Sequence, residues 1–541
     1  MEINTQYLND INILIIDDSK TSSMLIKQQL VSLGIAHERV SSVSSYQETI
    51  KIVGTRHYDI LIMDYHLEQT LTGHELTTLL YKNNFINETT GVLIISGDSR
   101  QETVLTSLSG KVKHFITKPI NTKALSNKIH TIYREGELLG KLSEALKSPT
   151  PELTGQLLDI VEKLNFAISL ESSLIDLLIS HGMWDTLTEY LAHTTSANHP
   201  TKQYAYAKLL DRSGQTDQAI QLLSEYIVQH PLSLKIMDCL VELYEQQGQW
   251  RDALHWALKG FELTPSMSDR AIHASQLAAK LNQREVLIHI GDTFANHISL
   301  ADSHWLTSII TYTHHLETAY FNSELIESKK SLLAHFDLFI KNAEKKLTEV
   351  RRAHLVSYSQ IFISRIWLCE GKLDAAHNAL LNAIAPYYEN LAKCPIAITH
   401  EALPLLEVFG ELWLSKHLRS VVKVPNNSAS KLPKHLSHAP FDIEALKEFY
   451  LQLNTTEIIT ANDIISRYEK VISDYPYATG VKMDYLDTLL KTKTTPGMSV
   501  PVVLSALSKL NLPPNWERWL ESLTQAEPRT SVPAPFSITS L

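Results

Sequence analysis

The sequence predicts an α/β doubly wound, five-stranded parallel domain followed by an all-α helical solenoid. Three observations carry that reading. Short apolar runs alternate with helix-like segments through the first 130 residues, this alternation stops after Tyr133, and small or helix-breaking residues then recur at a fixed spacing of 34. A chain of 541 residues has room for three or four domains of about 150 residues each.

The first run, INILII, covers Ile11 to Ile16; a weaker RVSSV surrounds Val40; DILIM spans Asp59 to Met63, VLII spans Val92 to Ile95, and HFIT spans His114 to Thr117. Uninterrupted apolar runs of this length are strands buried on both faces. With a helical segment after each, they form an open parallel sheet whose ligand site lies at the carboxyl ends of the strands.

Beyond Tyr133 the pattern is amphipathic and helical. GQTDQAIQLLSEYIVQHP and GQWRDALHWALKGFELTP begin at Gly214 and Gly248, and Ala219/Ala253 and Pro231/Pro265 keep the same 34-residue interval. These segments resemble the tetratricopeptide repeat (TPR), in which glycine ends the first helix and alanine lets two helices approach. HGMWDTLTEYL around Gly182 and EGKLDAAHNALLNA around Gly371 are similar to worn copies, and between the downstream copy and the rest the register is lost. The expected organisation is residues 1–133 as the α/β domain, 134–150 as a linker helix and 151–422 as the repeat region. A Pro-, Ser- and Asn-rich loop follows at 423–440, then a helical region at 441–526 and a disordered tail at 527–541.

Composition narrows the function. Hydrophobic residues make up 44% and charged residues 20%, an ordinary globular balance. The net charge is −10, with residues 1–130 nearly neutral and the acidic balance downstream, so no nucleic-acid partner is expected. Three cysteines without a CxxC spacing imply no disulfide framework, and none of the 24 histidines shows a zinc spacing. No apolar run is long enough for membrane insertion, and the expected location is cytoplasmic. No second catalytic motif is present, so the chain is not read as an enzyme apart from chemistry on its own residues.

That chemistry is expected at the strand ends. Asp17 and Asp18 follow the first strand and Asp64 ends the third. Three carboxylates brought to one edge call for a cation, and short oxygen ligands suit Mg²⁺. Ser96 at the end of the fourth strand and Lys118 at the end of the fifth add a hydroxyl and an ammonium, a set that fits a phosphoryl group.

These residues resemble the receiver domain of bacterial response regulators over about residues 8–133. The resemblance implies that Asp64 is the phosphoacceptor and that Lys118 and Ser96 hold the phosphoryl group. It also implies that Asp17, Asp18, Asp64 and the main-chain carbonyl of His66 ligate Mg²⁺, that Phe115 is the switch aromatic, and that Pro119 follows a cis bond aiming Lys118. His66 and Asp98 stand where receivers tune attack by water. The chain departs from the usual pattern after Asp64, with Glu68 in place of a proline and Gly73 one residue late.

In the repeats, Tyr204, Lys208, Asp211 and Arg212, with Lys235, Asp238, Glu242 and Glu245 from the next copy, are expected to line a partner groove beside Thr201 and Gln246. The favoured reading is a two-component response regulator phosphorylated on Asp64 by a sensor histidine kinase. It signals through protein contacts of its TPR-like region with a partner that the sequence does not name, such as the kinase or another regulator. The alternative is a structural scaffold with an inactive receiver-like docking module.

Overall fold

The computed structural model describes residues 10–67, 72–97, 112–147, 152–299, 302–422, 443–453, 460–523 and 531–536. The chain divides into two compact units, Met1–Ser308 and Ile309–Leu541.

The first unit opens with β1 (Ile13–Ile16), α1 (Lys20–Ser32), β2 (Val40–Val43), α2 (Tyr46–Val53), β3 (Ile60–Asp64), α3 (Gly73–Lys82), β4 (Gly91–Ser96), β5 (His114–Thr117) and α4 (Thr122–Lys147). The strands are all parallel in the order β2-β1-β3-β4-β5. Alternation of side chains explains the unbroken apolar runs. Ile13 and Ile15 face a core with Ile26, Leu30, Ile129 and Ile132, while Leu14 and Ile16 face another with Val53, Leu76, Leu79 and Leu80. Helices therefore cover both faces. The segment after β4, where a further helix is expected, lies outside the described residues.

The 26-residue α4 belongs to two cores. Leu125, Ile129 and Ile132 pack under the sheet, whereas Leu138, Leu139, Leu142 and Leu146 pack with Leu157, Leu170, Leu174 and Leu178 of the helices that follow. The expected boundary at 133 thus falls inside one helix, unbroken at Gly136 and Gly140.

The unit continues with α5 (Leu153–Glu162), α6 (Ile168–Ser180), α7 (Trp184–His193), α8 (Pro200–Arg212), α9 (Thr216–Gln229), α10 (Leu234–Gln246), α11 (Trp250–Leu263), α12 (Ser268–Lys280) and α13 (Arg284–Asn296). Gly214 and Gly248 follow α8 and α10 at φ +79° and +71°, the left-handed cap that glycine adopts without steric cost. A third pair, α12 and α13, begins 34 residues after α10 and α11. Asn282 takes the glycine's place there at φ +53°, and Leu287 takes the alanine's. Asparagine tolerates this conformation, so the period persists in the backbone where it fades from the letters.

The second unit contains most of α14 (Trp305–Asn322), then α15 (Ile326–Glu344), α16 (Glu349–Cys369), α17 (Leu373–Ile384), α18 (Ile396–Val408) and α19 (Leu412–Val422). After the expected 423–440 loop, which lies outside the described residues, come α20 (Ile443–Leu453), α21 (Ala461–Asp474), α22 (Thr479–Thr492), α23 (Val500–Leu507) and α24 (Pro514–Ser522). A buried guanidinium ties three helices: Arg365 donates to Glu317 at 2.7 and 3.1 Å and to Glu401 at 2.5 Å. Part of the expected disordered tail is packed. Trp516 Nε1 donates to the Pro533 carbonyl at 3.0 Å, the Val532 amide donates to Asp487 at 2.8 Å, and Phe536 is buried against Tyr388, Trp413 and His417. One aromatic ring outweighs the Pro- and Ser-rich composition by its burial. Among the described residues no helix is long and apolar enough to cross a membrane.

Candidate functional site

The strand order turns back on itself between β1 and β3, and the residues after β1 meet the end of β3 at that crevice. Carboxylate oxygens of Asp17, Asp18 and Asp64 lie within 4.8 Å of one another. Asp17 is buried, Asp64 half-buried and Asp18 exposed, so the cluster opens to solvent on one side.

Local bonds explain how a buried Asp17 is tolerated. Its Oδ1 accepts the Ser19 amide at 2.9 Å and its Oδ2 accepts Ser22 Oγ at 2.5 Å. Lys118 arrives from the far side of the sheet, its own amide bonded to the Ser96 carbonyl at 2.8 Å. The ammonium sits 3.2 Å from Asp17 and 3.2 Å from Asp64. Next to it, the Lys118–Pro119 peptide bond is cis. Burial raises the Asp64 carboxyl above the usual carboxylate range, Lys118 opposes that, and the neighbouring Asp17 and Asp18 charges reinforce it. Burial alone would lower the Lys118 ammonium, but Asp64 and Asp17 outweigh it and hold the group above its ordinary value.

Three carboxylates facing one ammonium leave excess negative charge beside an open side. That donor set of hard oxygens on short side chains fits Mg²⁺, with Asp17, Asp18 and Asp64 as the residues to hold it.

Ser96 ends β4 fully buried, opposite Thr117 of β5. Phe115 is half-buried and packs on the core that contains α2 and α3. His66 is exposed, its ring edge-on to Tyr65 at 4.8 Å between centroids. Asp98 and Glu68 lie outside the described residues. Gly73, one residue late in the sequence, opens α3, and its amide donates to the Tyr65 carbonyl at 2.8 Å. A Cβ there would run into the Asp64 carbonyl oxygen.

Residues 13–130 match the family model of the response regulator receiver domain. The chain therefore carries a receiver whose acidic crevice is the one described here, followed by a long all-helical region. Comparison with curated proteins returned no match.

Two residues of this receiver escaped the sequence reading. Ser22 acts as a hydroxyl donor on Asp17, and nothing in its helical context signals it. Glu75 is buried and completes a capping box with Thr72 at the start of α3. The spacing Thr72-x-x-Glu75 is legible as such a box, though not its burial.

In the helical region the charged residues of the expected groove are largely held in ion pairs, mostly with residues outside the expected set. Lys208 bonds Glu242, Lys235 bonds Asp176, Asp238 bonds Arg270 at 2.7 Å and Glu245 bonds His273 at 3.0 Å. Tyr204 lies beneath the Lys208 and Lys235 ammoniums, and Thr201 is buried beside Lys235. Asp211 accepts Thr216 Oγ1 at 2.8 Å, while Arg212 lies over Trp184. A cavity of about 450 Å³ gathers Tyr204, Lys235, Asp238 and Glu242 with residues of α3.

Proposed function

We propose that this protein is a two-component response regulator that accepts a phosphoryl group on Asp64 from a sensor histidine kinase and signals through protein contacts of its TPR-like region. The observation that carries the reading is the cluster of Asp17, Asp18, Asp64 and Lys118 at the strand ends of a family-matched receiver. An Asp64 carboxylate oxygen forms the new bond to phosphorus as the bond to the donor's leaving group breaks. Lys118, now 3.2 Å from Asp64, is within reach of the arriving phosphoryl oxygens and neutralises part of their charge. Mg²⁺, when bound, supplies the remaining compensation. Ser96, at the end of the neighbouring strand, is the hydroxyl donor to the same group in this reading.

The response is carried to the helices through α4 and β5. His114, which precedes the switch aromatic Phe115, bonds Glu135 of α4 at 2.8 Å, and Glu135 accepts Ser169 Oγ of α6 at 2.5 Å. This buried chain and the unbroken α4 favour a regulated helical region tuning a kinase or a second regulator. Acetyl phosphate with Mg²⁺ is expected to label the protein on Asp64. Asp64→Asn, or withdrawal of Mg²⁺, abolishes the label; full labelling of Asp64→Asn refutes the assignment, whereas no labelling and no Mg²⁺-dependent beryllofluoride binding by wild type favours the scaffold reading.

A further inference from the structure

The helix directly after the phosphoacceptor loop also touches the repeats. Glu75 is only 3% exposed, and its carboxylate is shared. Oε2 accepts the Thr72 amide at 3.0 Å and the Thr72 hydroxyl at 2.9 Å, while Oε1 accepts the hydroxyl of Ser266 and, at 3.4 Å, its amide. Ser266 is itself buried, in the turn between α11 and α12. The other end of α3 is tied down as well, with Lys82 bonding Asp269 at 2.7 and 2.9 Å and Asn83 accepting Ser303 Oγ at 2.7 Å. Between these ties, His74 and Thr78 of α3 cover the cavity floored by Tyr204, Lys235, Asp238 and Arg270.

We propose that the first turn of α3 is a clasp that holds the receiver over the repeat groove, and that modification of Asp64 releases it. A buried carboxylate is stable only with its donors in place, and here half of the donors belong to the loop leaving Asp64 and half to the repeats. Gly73, pressed against the Asp64 carbonyl and bonded to Tyr65, ties the same turn to the phosphoacceptor. A phosphoryl group adds about two negative charges at that point and draws on Lys118, which now serves both Asp17 and Asp64. Thr72 and Gly73 cannot shift without disturbing Glu75, and Glu75 cannot move without releasing Ser266. The resting contact therefore opposes the phosphorylated state, and a partner reaches the groove once α3 withdraws.

This inference rests on Asp64 being the phosphoacceptor, and linkage supplies its test. If the clasp opposes the phosphorylated state, breaking it strengthens binding of a phosphoryl mimic by the coupling factor, typically about 5- to 150-fold. The full-length chain is titrated with beryllofluoride and Mg²⁺ by calorimetry as wild type, Ser266→Ala and Lys82→Ala. Tighter binding by at least about 5-fold in Ser266→Ala, with a smaller change of the same sign in Lys82→Ala, is the expected result. In wild type, beryllofluoride is expected to raise amide exchange in α3 and residues 264–270. Lys82→Ala removes only a surface tie and keeps the test valid should Ser266→Ala misfold. Wild type that binds the mimic, with variants matching it within twofold and no change in exchange, overturns the clasp alone. Wild type that does not bind the mimic overturns both the clasp and the phosphoacceptor reading.

Discussion

Asp64 stands in a site where three carboxylates face one ammonium, and that imbalance is measurable in the free protein. The fold raises its carboxyl above the ordinary value of 3.8, burial first and the Asp17 and Asp18 charges after it, against the opposing Lys118. A raised folded-state value means that stability is full below the ordinary carboxylate range and declines as pH rises through the raised value. Removing the charge should therefore stabilise the metal-free fold at neutral pH. Asp64→Asn is expected to melt about 1–4 °C above wild type at pH 7.5 without Mg²⁺, and the two should converge below pH 3.8. Scanning fluorimetry across pH checks this, and a lower melting temperature for Asp64→Asn at pH 7.5 contradicts it. The positions of Asp17, Asp18, Asp64, Ser96 and Lys118 were legible because a strand end is visible in the apolar pattern. The bonds from Ser22 and Ser19 to Asp17 were not, because helix-start serines look alike whether they cap a helix or brace a carboxylate.

At the scale of elements, α3 and α4 show how differently two glycines behave. Gly73 opens α3 against the Asp64 backbone with no space for a Cβ, whereas a Cβ at Gly140, inside α4, would meet no atom within 4 Å beyond the backbone of its own helix. Gly73→Ala is expected to lower stability by about 1–3 kcal/mol, the cost of forcing atoms into a filled space. Gly140→Ala should raise it by up to about 1 kcal/mol through helix propensity. Urea unfolding of both variants tests the contrast, and equal effects would show that the α3 approach is soft. The sequence marks both residues equally as helix breakers. It also sets the repeat at Gly214 and Gly248 but loses it at Asn282, an asparagine that takes the left-handed conformation glycine takes at the other two positions.

For the whole molecule, the proposed function is tested by whether the state of Asp64 changes what the helical region binds. A pull-down from the parent cell with wild type, wild type plus beryllofluoride and Mg²⁺, and Asp64→Asn is expected to retain a common partner. Titration of that partner should show affinities differing by about 5- to 150-fold between the first two forms and no response in Asp64→Asn. Identical affinities in all three would leave the receiver without control over the groove. The sequence by itself determined the five parallel strands, the acidic crevice, the helical remainder and the 34-residue period, since each follows from local periodicity and from the side-chain alternation of a sheet buried on both faces. Only the tertiary structure decided that α4 is shared between two cores, that the charges of the groove are met by ion-pair partners from neighbouring helices, that Phe536 anchors part of the tail, and that Glu75 meets Ser266. Those four depend on which distant surfaces come together. Burial and pairing are properties of contacts between segments far apart in the chain, and no local pattern of letters records them.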